Sequence, residues 1–451
     1  LFKGGTIVSG DGMKKLDLLV KGEKILAAGE NLEFRDAQIV DVRGKLLFPG
    51  FIDAHTHMAL EVSNTITADK FETGTKAELA GGTTCIVDYA TQYKGESLRE
   101  ALNNWHKKAD GQSSCDYAFH LALTDWNEEI SRELEEIVQK ETCSFKLYMT
   151  YDTMVDDETM YEILSRLKEL GGIAGVHCEN NGIIQARLKE LEKIKGGRTD
   201  VSDYPWTRPK EAEAEAVGRL LKIAKCVDTP IIVVHLSTAA GYREILKARE
   251  EGQTVYVETC PQYLVMDEGK YSLPAEEARH YMIAPPLRKK KNQDVLWQAL
   301  KEGRIQTIAT DHCSFTKEQK MAGAQDFSKT PCGMPGAERP ALIWQFGVNE
   351  NRITAEQMCI YLAENPAKLY KLYPWKGALI PGSDADIVVW NPDIEWTMTA
   401  ESQQSACDYC PMEGTKIRGR AEQVYLRGKL AAENGKILEE KAGVYVRHGV
   451  E

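Results

Sequence analysis

Eight short β-rich runs, separated by stretches whose apolar residues recur at helical spacing, restrict this chain to few folds. From about residue 50 to about 313 they read FPGFIDAHTH, TTCIVDYA, CDYAFHLALT, TCSFKLYMT, IAGVHCEN, PIIVVHLST, TVYVETCPQ and IQTIATDHC. Segments such as ESLREALNNWHKKAD and DDETMYEILSRLKEL lie between them and read as helices. Strands and helices in alternation build a parallel sheet, and eight such units close a (β/α)8 barrel. Residues 1–50 and 379–451 look different, with short alternating strands broken by Gly turns in KKLDLLVKGEKILAAGE and QVYLRGKLAAENGKIL. The predicted fold class is α/β: a (β/α)8 barrel over 51–378, with a small β-sandwich domain built from both termini.

In such barrels the reactive groups sit at the C-terminal ends of the strands. Six polar residues lie at or near those ends here, in runs 1, 4, 5, 6 and 8: His55, His57, Lys146, His177, His235 and Asp311. Residues i and i+2 of a strand point to the same side, so His55 and His57 can reach one ion, whereas on a helix they would diverge by roughly 200°. This pattern predicts a metallohydrolase. Lys146 has two readings on pattern alone. Either it lies at a strand end with its amine in water, or it sits inside the site, where an ammonium costs several kcal/mol unless paired or neutralised.

A chain of 451 residues with 56 basic and 68 acidic side chains carries a net charge of −12, which a phosphate backbone would meet as a repulsive field. Nucleic acid is therefore not an expected partner. Apolar runs such as IIVV fall far short of the roughly 18 residues a bilayer span needs, and the N-terminus has no secretory apolar stretch. A cytoplasmic location with no membrane contact is the expectation. Eleven scattered cysteines suit buried thiols in a reducing compartment better than a disulfide framework. Cys407 and Cys410 form the one CxxC pair, with no second pair to complete a zinc site, and Cys178 points to the face opposite His177.

The segments FPGFIDAHTH, SFKLYMTY, GVHCEN, VVHLS, VETCPQYL, APPLR and ATDHCSF occur in the order found in the dihydropyrimidinase and hydantoinase family, and the chain resembles that family over nearly its whole length. The resemblance implies an amidohydrolase barrel with a binuclear zinc site. His55 and His57 would hold the more buried ion with Asp311, His177 and His235 the second, and N6-carboxylated Lys146 would bridge both. Two cations about 3.5 to 4 Å apart need anionic bridges, which a plain ammonium cannot supply. The implied reaction is attack of a metal-bridging hydroxide on a cyclic ureide, a small molecule, giving an N-carbamoyl amino acid. Asp311 would move the proton and Tyr151 would donate to the oxyanion. A homotetramer is also implied.

Two positions depart from the family's usual text. Ala284 stands where Ser is common before PPLR, and Cys332 where Asn precedes the glycine of the later GxPG loop. Both positions are thought to bind the substrate amide through backbone atoms. Bulky residues gate the ring substituent in the family, and they align here with Val62, Tyr148 and Val155, two of them small. Dihydroorotase and allantoinase share the barrel and metal site, but dihydroorotases carry an arginine just after HxH, and HTHMALEV has none. Related proteins that act as scaffolds have lost metal ligands, whereas all six are retained here.

Overall fold

The eight runs form eight parallel strands: β1 (Phe51–Thr56), β2 (Thr83–Thr91), β3 (Asp116–Ala122), β4 (Ser144–Tyr148), β5 (Ile173–His177), β6 (Ile231–Val233), β7 (Val255–Thr259) and β8 (Thr307–Ile308). They are hydrogen-bonded in sequence order, and β1 meets the segment after β8 through a parallel bridge between Thr56 and His312. The computed structural model describes residues 1–62, 64–197 and 199–447. Every residue of β2 and β3 is buried, as expected of parallel strands covered by helices on one side and packed into a barrel on the other.

The helices follow from local signals. Asp157–Leu170 begins where Asp156 accepts from the Thr159 amide at 2.8 Å and ends at Gly171, whose φ of 74° lies in the left-handed region. Between these caps Met160, Ile163, Leu164 and Leu167 turn one stripe onto the barrel, at the i, i+3, i+4, i+7 spacing. Among the described residues no helix is long and apolar enough to cross a membrane. All eleven cysteines are free, and Cys178 is buried in the main core.

Both termini combine in two further sheets. Leu46–Pro49 pairs antiparallel with Ile387–Trp390 and parallel with Thr6–Ile7, so N-terminal and C-terminal strands share one seven-stranded sheet. A four-stranded sheet including Asp17–Lys21 and Lys24–Gly29 faces it across a small core of Phe2, Leu18, Ile25, Leu47, Ile387 and Val389. This is the expected β-sandwich.

Sandwich and barrel are joined by a buried charge cluster. Lys376, 2% exposed, places Nζ 2.5 Å from Asp116 at the start of β3, 2.7 Å from Asp386 and 2.9 Å from Asp384. Arg427 adds a second cation on Asp116. Three carboxylates that converge closely enough to hold an ion are thus already served by an internal ammonium. Removing that cation leaves several anions buried together. Lys376→Met is expected to destabilise the protein by about 3–5 kcal/mol, read as a lower urea midpoint at unchanged m. A midpoint within error of the parent would contradict this account.

Candidate active site

The strand ends bring the candidate residues to one point. His55 is fully buried, with Nε2 3.2 Å from Asp311 Oδ1, and His57 Nε2 lies 3.2 Å from the same oxygen. Lys146 Nζ is 3.4 Å from His55 Nε2. On the other side the ring of His235 stands 5.5 Å from that of His55 and 4.5 Å from that of His177. Only His55, His177 and Lys146 sit within their strands. His57 follows β1 directly, and His235 and Asp311 lie just beyond β6 and β8.

Three residues here hold backbone conformations that L side chains rarely adopt: Tyr151, His235 and Asp311, with φ of 72°, 38° and 54°. Each turns the chain sharply where a strand ends, so the side chain points back over the barrel mouth. Such strain costs on the order of 1–3 kcal/mol per residue and persists only where the surroundings enforce it. At His235 the enforcing group is Glu258 of β7, whose Oε1 accepts from the His235 amide at 3.2 Å and lies 2.6 Å from His55 Nδ1. One carboxylate therefore orients two of the four imidazoles.

Electrostatics favour Lewis-acid binding. Desolvation pushes His57 down to about 4 and lowers His177 and His235, so these imidazoles stay neutral with lone pairs available. Burial opposes ionisation of Asp311, yet the charges and hydrogen bonds of His55 and His57 hold it well below the ordinary carboxylate range. Lys146 is 1% exposed, which removes the reading with its amine in water, and desolvation pushes it down to about 8. No carboxylate lies within ion-pair distance of it among the described residues, and its nearest π-face is Tyr89, 4.7 Å from the ring centre. Inside the site the Nδ1 atoms of His57 and His235 are sealed from solvent without a hydrogen-bond partner. Imidazoles with a carboxylate suit zinc and neighbouring transition ions, so the donor set fits a metal. Of the six candidates, His55, His57 and Asp311 present ligand atoms that all lie within 4.8 Å of one another.

These residues floor a cavity of about 560 Å³. Tyr148, Tyr151, Val62, Ala284 and Cys332 also border it. Val155 does not: it is buried in the main core, its amide bonded back to Tyr148 O at 3.1 Å. Tyr151, Asp152 and Thr153 border the cavity while Val155 packs into the core behind them, which corrects the expectation that Val155 gates the pocket. Ala284 is held from both sides, because Tyr204 donates to Ile283 O at 2.8 Å and Tyr263 to Pro285 O at 2.7 Å.

Several supporting residues are not among those the sequence singles out. Glu179 sits 2.9 Å from His177 Nε2 and accepts from Arg208 at 2.5 Å, while the Arg208 guanidinium lies 5.2 Å over the Tyr151 ring. Burial would raise Glu179, but Arg208 and His177 draw it down to about 2, so it remains a carboxylate. Glu258 and Glu179 are detectable by the reasoning that singles out Lys146. Each is a charge at the end of a predicted strand.

The barrel and its donor set define the class, an amidohydrolase-type barrel, and comparison with known proteins agrees. The model of the amidohydrolase family matches residues 46–431. The chain is 39% identical to a D-hydantoinase of Geobacillus stearothermophilus, over 99% of this chain and 96% of the relative. It is 37% identical to a D-phenylhydantoinase of Escherichia coli, over 95% and 93%. The crystal structure of a dihydropyrimidinase from Brevibacillus agri superposes with a TM-score of 0.97 at 41% identity, covering 100% of this chain and 99% of that one. The chain belongs to the dihydropyrimidinase and hydantoinase branch of the amidohydrolase family.

Because Glu258 fixes the His55 ring, Glu258→Gln is expected to weaken metal binding by roughly 10–100-fold, as losses of outer-sphere carboxylates do. Competition with a chelator of known affinity measures it. Unchanged affinity would relieve Glu258 of that role.

Proposed function

We propose that the protein is a zinc-dependent cyclic amidohydrolase that opens dihydropyrimidines or 5-substituted hydantoins to N-carbamoyl amino acids. One observation carries the reading: four histidines, Asp311 and Lys146 converge beneath a cavity that Ala284 and Cys332 also border. His55 and His57 with Asp311 would hold one zinc, His177 and His235 the other, and carboxylated Lys146 would bridge them. A lysine near 8 supports this, since a neutral amine is the form that adds carbon dioxide. When bound, the ions would polarise the amide carbonyl and lower the pKa of water toward roughly 7.

The remaining work falls to the chain. Asp311 takes the proton of the attacking water at its carboxylate and returns it to the leaving ring nitrogen. Tyr151 keeps its proton, because desolvation holds the phenol above its ordinary value, and so can donate to the oxyanion. Backbone groups of Ala284 and Cys332 hold the ureide. The family's homotetramer is the assembly proposed. Allantoinase and dihydroorotase are weaker readings, since no arginine follows HTH and Arg208, the one arginine bordering the cavity among the described residues, is committed to Glu179.

Three outcomes test the reading. Lys146→Ala is expected to lose most bound metal, and elemental analysis finding two zinc ions per chain in that variant would remove the carbamate. Asp311→Asn is expected to cost several orders of magnitude in turnover because an amide cannot shuttle the proton; near-parental turnover would take Asp311 out of the mechanism. The pocket is the third. Val62 leaves space for a 5-aryl group, so phenylhydantoin is expected to match or exceed dihydrouracil in kcat/KM. Val62→Phe should cut the former by roughly 10–200-fold and spare the latter. A preference for dihydrouracil that the larger side chain leaves unchanged would sink this assignment.

A further inference from the structure

Lys320 is a buried cation that the chemistry above does not use. It ends the short helix Lys317–Lys320 and is 0% exposed. Its Nζ donates to Gly333 O at 2.6 Å, Pro331 O at 2.8 Å and Met282 O at 3.1 Å, which exhausts its three protons. No carboxylate lies within ion-pair distance of it among the described residues, and the Phe315 ring is 5.4 Å away. A buried ammonium without an anion is costly, and an apolar side chain of similar length would fill the space without that cost. The three carbonyls it gathers lie in the two segments that carry Ala284 and Cys332.

The peptide geometry says what the arrangement does. The peptide bonds on either side of Cys332 are trans, so the C=O and N–H of each unit point in opposite directions. Pro331 O is fixed on Lys320, and the N–H of the same unit, that of Cys332, must therefore face away from the lysine. Gly333 N donates to Met282 O at 2.8 Å, so the Cys332 carbonyl faces away as well, toward Cys313 Sγ at 3.9 Å. Cys313 and Cys332 both border the cavity. The ammonium on Pro331 O also polarises that peptide and makes the Cys332 N–H a stronger donor. Gly333 is needed for the close approach: with φ 154°, a Cβ there would sit 2.2 Å from Cys313 O.

We propose that Lys320 is a positioning residue for substrate: it clamps the Met282 and Pro331–Gly333 backbones so that the Cys332 amide and carbonyl are presented together to the ring ureide. The inference rests on the reading of the site given above. It also explains how Cys332 can replace another side chain, since the recognising atoms belong to the backbone.

The test uses the full-length, zinc-loaded protein. Lys320→Met is expected to raise KM for dihydrouracil and phenylhydantoin by roughly tenfold or more with kcat within about threefold, the pattern of lost binding common to ground and transition states. A folded variant with parental KM overturns the proposal, as does an equal loss in kcat with KM unchanged. If that variant does not fold, amide hydrogen exchange in the unaltered protein supplies the readout. Desolvation brings Lys320 to about 8, and the titratable groups facing it are the thiols of Cys313, Cys332 and Cys407 and the imidazole of His280. A neutral amine has one donor fewer, so protection of the Gly333 amide, corrected for intrinsic exchange, should fall as pH rises through about 8. Constant protection would refute the clamp. Should the unaltered enzyme open no cyclic ureide, the proposed function fails, while the exchange measurement still decides the role of Lys320.

Discussion

Arg339 is fully buried where the barrel closes, and it donates to Ile52 O of β1 at 2.8 Å and to Ile308 O of β8 at 2.9 Å. This seam needs a side chain because β8 is only two residues long and cannot offer β1 a full ladder. Asp53 completes it: one carboxylate oxygen accepts from the His55 amide at 3.2 Å and from the Thr310 amide at 3.1 Å. Thr310 Oγ1 then donates to His55 O, and His57 N to His312 O at 2.8 Å. The two histidines and Asp311 belong to opposite sides of this seam, so the shared 3.2 Å distances to Asp311 depend on it. Glu78 lies beside the pair, and desolvation together with Asp53 raises it well above the ordinary carboxylate range.

The same logic continues around the mouth. Glu258 links β7 to His55 on β1 and to the His235 backbone after β6, and Glu179 links His177 to Arg208. In His55 and His177 one ring nitrogen meets a carboxylate outside the centre, and the other is left for the centre itself. Desolvation keeps His57, His177 and His235 neutral, and strained turns aim His235 and Asp311. A site assembled this way is costly in the absence of a cation and well matched to one, which is the sense in which its electrostatics and its backbone agree.

Much of this is legible in the sequence, for identifiable reasons. Parallel strands buried on both faces read as unbroken apolar runs, so all eight are visible, and a charged or imidazole residue at the end of such a run stands out against them. His235 and Asp311 are recognisable although they lie past the strands, because residue type survives an error in element boundary. The strand pairing of Leu46–Pro49 with Ile387–Trp390 is another matter, since nothing local encodes a register between the two ends of a chain. Val155 reads as a pocket residue because its true place depends on the left-handed turn at Tyr151, a conformation that no residue pattern there announces. Lys320 gives no signal because its partners are carbonyls, and backbone acceptors are the same in every sequence.

That last point bears on specificity. In the proposed site the ring would be recognised by peptide groups at Ala284 and Cys332, whose neighbouring carbonyls are held by Tyr204, Tyr263 and Lys320. The rest of the cavity wall includes the side chains of Leu60, Val62, Ile184 and Leu188, which a ring substituent would meet in that reading. Substitutions in the wall reshape the pocket at a cost of order 1–3 kcal/mol per group, while the peptide clamp can change only through the residues that hold it. On that reading, a barrel of this kind would drift among substituents and keep the ureide, because the two kinds of contact would be carried by different parts of the chain.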